Sequence, residues 1–250
     1  DQDTDWHVTI RQLTTSSQGI MSIAEHLGKQ QDLPQAVEKL GNVSLTANAK
    51  KGGKKIGLTT RLGTDAGKLE AKFDKLDKEF TAHITAVQLQ LQQLTNNRDF
   101  GNLSATITAK GTIEKAKVIT AKAHADINTL LYKSHLYRTI YADGAYSTQT
   151  GINANIDIDD NYCHANILAA YNLSKTQKGG SIKANIQDFN PQALGLISKW
   201  EGITFSFVAD GAFTGNNINN AKGHLNVNDF TMSDSTTTFR MNSLELTKDV

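Results

Sequence analysis

The chain has one cysteine and two prolines in 250 residues, and its aromatic content is only 7%. A single thiol, Cys163, forbids an internal disulfide and any metal site made of thiolates alone. Two prolines argue against a proline-rich linker. Sparse aromatics, most of them inside an alternating pattern, leave no exposed cluster for a carbohydrate-binding surface and no paired girdles for an outer-membrane barrel. No excess charge of one sign exists either: 26 Lys+Arg face 25 Asp+Glu, interspersed, which excludes the basic footprint of a nucleic-acid partner. No run approaches the roughly 18 apolar residues of a membrane-spanning helix. The residues begin and end without a terminus of recognisable function, as in a fragment of a longer protein.

What the chain does have is alternation. Gly67–Leu76, Ala121–Leu130 and Gly180–Phe189 each run from a small residue through apolar side chains at every second position to a large apolar residue. Their starts lie 54 and 59 residues apart, and a second pair, Gly41–Lys50 and Gly101–Lys110, repeats at 60. Successive strand side chains point to opposite faces, so each stretch predicts a strand with one oily row and one wet row of Lys, Thr, Asn and Asp. The expected fold is all-β: a curved, mostly antiparallel repeat sheet forming a one-sided apolar groove, with two short N-terminal helices. Residues 1–41 would hold a short strand (Trp6, Val8, Ile10) and the helices; residues 42–250 would hold groove units of about 54–60 residues.

The first helix is predicted from Ile20, Ile23, Ala24 and Leu27, with Ser16 or Ser17 as N-cap and Gly28 as terminator. The second runs from Asp32 through Pro34 to Gly41, with Leu33, Ala36, Val37 and Leu40 as its stripe. Lys50 to Lys55, interrupted by Gly52 and Gly53, reads as a hairpin turn. The phase slip from Ala86 to Val87 predicts a bulge. Asn190-Pro191 could open one more helical turn before Trp200.

The sequence carries no nucleophile elbow, phosphate loop, zinc-binding histidine pair or dinucleotide turn, so it predicts no enzyme, no metal site and no cofactor. Its seven histidines are scattered, His83 and His124 on the wet phase. Asp157-Ile158-Asp159-Asp160-Asn161 has too few ligands for calcium and reads as a strand end entering a turn. The feature that points to function is alanine on the oily phase: Ala47, Ala71, Ala105, Ala123 and Ala184 among others. A filled sandwich needs bulkier side chains across its gap of about 10 Å. Ala alternating with Leu, Ile or Phe suits a trough that holds something else, and acyl chains fit, at about 0.8 kcal/mol per buried methylene. The residues expected to line it are Val43, Leu45, Leu58, Leu62, Leu69, Phe73, Ile84, Ile107, Ile127, Ile156, Ile182, Ile186, Phe205, Phe207, Leu225 and Val227.

Three segments carry a resemblance. They are Leu33-Pro34-Gln35-Ala36-Val37-Glu38-Lys39-Leu40-Gly41-Asn42-Val43-Ser44, then Thr60-Arg61-Leu62-Gly63-Thr64-Asp65-Ala66-Gly67-Lys68-Leu69, and the Tyr132…Tyr141…Gly144…Tyr146 unit with Ile158-Asp159-Asp160-Asn161 as its turn. In this order they resemble the AsmA-like family of the Gram-negative envelope, in a diverged branch of its TamB (translocation and assembly module) group. The resemblance implies a β-taco segment in the periplasm, its full-length protein anchored in the inner membrane by a helix. It implies phospholipid acyl chains as ligand, lipid transport between inner and outer membranes, and a role in outer membrane biogenesis and protein secretion. Contact with an outer-membrane barrel partner would fall to parts outside these residues. The alternative reading is a structural scaffold that binds a partner by strand addition and carries no lipid.

Overall fold

A computed structural model describes residues 4–26, 28, 35–173, 178–215 and 222–249. Alternating stretches become strands, and each strand pairs only with the ones before and after it in the chain. The strands are β1 (Trp6–Ser16), β2 (Asn42–Gly52), β3 (Lys55–Thr64), β4 (Gly67–Leu76), β5 (Glu79–Gln90), β6 (Phe100–Glu114) and β7 (Lys117–Tyr132). They continue as β8 (His135–Ser147), β9 (Gly151–Asp160), β10 (Cys163–Asn172), β11 (Gly179–Phe189), β12 (Thr204–Thr214), β13 (Lys222–Ser233) and β14 (Thr238–Lys248). Together they form one open, curved sheet of 14 antiparallel strands in sequence order.

The repeat seen in the sequence resolves into strands of unequal length. Gly67 opens β4, Ala121 lies in β7 and Gly180 in β11, so 54 residues span three strands and the next 59 span four. Strand lengths from 10 to 16 residues absorb the difference.

Two kinds of end result. At one, which we call the turn end, β2–β3, β4–β5 and β6–β7 are joined by two-residue turns. At the other, the helical end, lie the non-strand elements among the described residues. They are α1 (Ser17–His26), a 3-10 turn at Gln35–Lys39, α2 (Leu91–Thr95) and the turns of 191–195. α1 forms as expected: Ser16 Oγ accepts the Gly19 N–H at 3.2 Å, and Gly28 takes a φ of 64°. The second expected helix appears, within the described residues, only as the 3-10 turn; Asp32, Leu33 and Pro34 lie outside them. α2 begins at Leu91, directly after β5 ends at Gln90, and Asn96 ends it at φ 59°.

The expected bulge is present. The β5–β6 register slips between Ala86 and Leu89, where Gln88 has a φ of 51°. Bulges at Asp188 on β11 and Asp229 on β13 sit at the same level of the sheet, bending the strands near the helical end.

Asn190-Pro191 starts turns rather than a helix. Asn190 Oδ1 accepts the Ala193 N–H at 2.9 Å, and Asn190 N–H donates to Tyr162 O, tying the segment to the β9–β10 turn. Leu194, 1% exposed, is thereby laid on Cys163 and Ala165, with Tyr137, Ile158, Ile186 and Phe189 around it. Gly195 makes this possible: at φ 71° it passes so close to the β7–β8 turn that a Cβ would lie 2.2 Å from Lys133 O.

Candidate functional site

Residues opposite one another in an antiparallel ladder share a face, so the register can be followed from edge to edge. The central row is Ile10, Ala47, Thr60, Ala71, Ile84, Ile107, Ala125, Ala142, Ile156, Ile167, Ala184, Ala209, Val227 and Leu244. It crosses all 14 strands, and Thr60 is its one polar member. Toward the turn end a second row runs from Val8 through Leu58, Phe73, Ala109, Gly144, Ile182 and Leu225 to Leu246, without a polar side chain. Toward the helical end a third runs from Leu13 through Leu45, Leu62, Leu69, Ile127 and Ile186 to Phe207. At a spacing of about 4.8 Å between strands, the central row is roughly 60 Å long.

All sixteen residues named from the sequence fall on this face. Ile84, Ile107, Ile156 and Val227 are in the central row, and Leu58, Phe73, Ile182 and Leu225 in the second. Leu45, Leu62, Leu69, Ile127, Ile186 and Phe207 are in the third. Val43 and Phe205 lie beyond it at the helical end. Val43 is only 2% exposed there and offers no open surface, whereas Ile182 is 42% exposed. Phe205 sits between Trp200 and Phe230, at ring distances of 5.6 and 6.1 Å.

Little of the chain covers this face. A compact protein of 27.2 kDa exposes about 11,000 Å²; this one exposes 16664 Å². Among the described residues Leu194 alone of the large side chains is below 2% exposed, and its segment covers the face near β8–β11. The apolar rows are therefore mostly one layer deep and half-buried by their own neighbours.

The opposite face is wet. One of its rows reads Thr9, Asn48, Thr59, Lys72, His83, Thr108, His124, Asp143, Asn155, Leu168, Lys183, Asp210, Asn226 and Glu245. A hollow of about 780 Å³ lies on this side, walled by Thr108, Lys110, Lys122, His124, Asp143, Asn153 and Leu168 among others. The sequence led one to expect the concavity on the oily side. A twisted sheet is saddle-shaped, so each face is concave along one diagonal, and side chains of unequal length decide which valley is deeper.

His124 bridges two carboxylates there, with Nδ1 2.8 Å from Asp143 and Nε2 3.0 Å from Asp126. The Asp143 hydrogen bond, then that to Asp126, raises its pKa. His164 faces away from Cys163 and pairs with Asp159 at 2.7 Å. At the helical end one polar pair is sunk among apolar residues: His135 Nε2 lies 3.0 Å from Asp160 Oδ2, and Tyr162 N–H donates to Asp160 Oδ1 at 3.0 Å. The pair was missed in the sequence, though Asp160 falls on the oily phase of Ile156 and Ile158. Burial first, then Asp160, pushes the Tyr137 phenol up to about 12 and the Cys163 thiol up to about 11. Cys163 is a free, buried thiol. Among the described residues no group of three or more His, Cys, Asp or Glu is placed to hold a metal ion.

No family model, no curated protein and no solved structure matches this chain.

Proposed function

We propose that the chain is a periplasmic segment of a TamB-like envelope protein that carries phospholipid tails on its apolar face, between inner and outer membranes, in support of outer-membrane assembly. The observation that carries this reading is the set of apolar rows crossing every strand without protein laid over most of them. An uncovered apolar surface of such extent marks an interaction site, and acyl chains match rows whose one polar side chain, Thr60, already donates to Thr46 O. The sheet's curvature would make those rows a groove, with tails on Ala and Ile positions and headgroups at the open lip. Transport would be passive for this segment, driven by a gradient or by energy supplied elsewhere in the assembly.

The test is native mass spectrometry of the chain purified without detergent. Co-purified phospholipid is the expected result, and a bare mass under conditions that retain lipid on a known carrier counts against the proposal. A photo-crosslinker at Phe73 should capture lipid while one at Lys72, on the other face, should not; equal capture would contradict the facing.

A second reading has its own observation. Among the described residues β14 pairs with β13 alone, and its Phe239, Leu244 and Leu246 are exposed with no Pro or inward-pointing charge between them. Such an edge accepts a strand from a partner. Partner capture by a lipid-free chain would favour it.

A further inference from the structure

Charge on this molecule is sorted along the strand direction, which the neutral total conceals. The β2–β3 and β6–β7 hairpins alone bring Lys50, Lys51, Lys54, Lys55, Lys115 and Lys117 to the turn end. Among the described residues, Lys50, Lys55, Lys115 and Lys117 are exposed and make no ion pair, while Lys54 lies 3.6 Å from Asp77. The helical end is richer in acids, with Asp65, Asp99, Asp159, Asp188, Asp229 and Asp234 beside Lys39, Arg98, Lys133, Arg138 and Lys199, whereas at the turn end Asp77, Glu79 and Glu114 stand among a larger number of lysines.

Beside the lysines, the apolar face ends in a rim of large side chains. Trp6, Ile152 and Phe213 there are 42%, 47% and 44% exposed, and Phe213 lies 6.3 Å from the Tyr171 ring. At the helical end Leu194 and the buried Val43 close part of the corresponding level, while Trp200 and Phe239 remain 57% and 52% exposed there, with no cluster of unpaired lysines beside them among the described residues. The turn end thus joins unpaired lysines to exposed large apolar side chains, along a margin that runs parallel to the apolar rows. Lysine with aromatic side chains is the composition that settles at a bilayer's headgroup level, the cation on anionic lipid and the ring at the acyl boundary.

We infer that the turn end docks on the surface of an anionic phospholipid membrane, so that the rows lie alongside the bilayer and the helical end faces away. The inference deepens the lipid-carrier reading and rests on it for the presence of a membrane. A polyanion such as DNA would satisfy the lysines but give the adjoining Trp6, Ile152 and Phe213 nothing to bury.

The test is flotation of the full chain with vesicles of phosphatidylcholine alone and with phosphatidylglycerol added, at low and raised salt. Binding should favour the anionic vesicles by at least about tenfold and weaken with salt. Replacing Lys50, Lys54, Lys55 and Lys117 by Gln should lower partitioning by on the order of a hundredfold. A control variant with Lys39, Arg98, Arg138 and Lys199 replaced by Gln has the same net charge and should bind as the parent does. Matching circular dichroism and melting for all three proteins makes the comparison independent of folding. Equal loss in both variants, or indifference to vesicle charge, overturns the docking surface. Short duplex DNA competing as effectively as anionic vesicles overturns its assignment to membrane. Lipid retention in native mass spectra is read separately: its loss in the parent protein would fail the carrier proposal whatever the vesicles show, and its survival in the lysine variant would show that docking alone was removed.

Discussion

Across the β5–β6 ladder, the backbone N–H of Gln88 donates to Ser104 Oγ at 3.0 Å, and the same pairing recurs at Asp188 and Ser206, also at 3.0 Å. Both donors sit at positive φ in a bulge, where the ladder leaves an amide without its carbonyl. Ser104→Ala should therefore cost about 0.5–1.5 kcal/mol in urea denaturation, at the low end because the site is exposed. Ser206→Ala should behave alike. No change in either would show that water serves these amides equally well.

Leu194 separates local packing from the open face. Leu194→Ala should destabilise by about 2–5 kcal/mol, while Leu244→Ala at the exposed edge should stay within about 0.5 kcal/mol. Alkylation of Cys163 gives an independent readout. With its thiol pushed up to about 11 by burial, it should react slowly at neutral pH in the parent and markedly faster in Leu194→Ala.

Asp160→Ala leaves His135 and the Tyr162 amide without their acceptor in a nearly closed site. The expected loss is about 1–3 kcal/mol, measured by thermal or chemical unfolding. His135→Ala, by the same logic, should be partly rescued by a second change of Asp160 to Asn, which removes the stranded charge.

His124 gains two carboxylates on folding, so its folded-state pKa lies above the unfolded value near 6.5. Its contribution to stability is therefore fully present below that unfolded value and fades as pH rises through the folded pKa. NMR titration of the His124 ring should show a midpoint above 6.5, and Asp143→Asn should move it down. The ring is well exposed, so the effect on melting temperature should be small.

Alternation made the strands and their two faces readable, because period two leaves little else open to a segment such as Gly67–Leu76. The slip at Val87 revealed a bulge for the same reason. Register was not readable: whether Ile84 meets Ile107 depends on strand lengths and turns summed along the chain. α2 escaped because Leu89 and Leu91 continue a strand's spacing into a five-residue helix. The packing of Leu194 depends on Gly195 passing Lys133, a contact 62 residues distant in sequence. His135 and Asp160 are 25 apart, and only the presence of an acid on an oily phase could have flagged them. For the candidate site, alternation showed that the sixteen apolar side chains share one side, while how little of the described chain lies over that side needed the fold.

A meander in which no strand skips its neighbour has a mechanical consequence. Tension on the two ends of the chain can peel the sheet from either edge, one strand at a time, since no interior strand is locked by a crossover. A lesion in β7 would leave two shorter ladders intact on either side of it. Such a body fails piecemeal under load and can zip up again from any surviving hairpin.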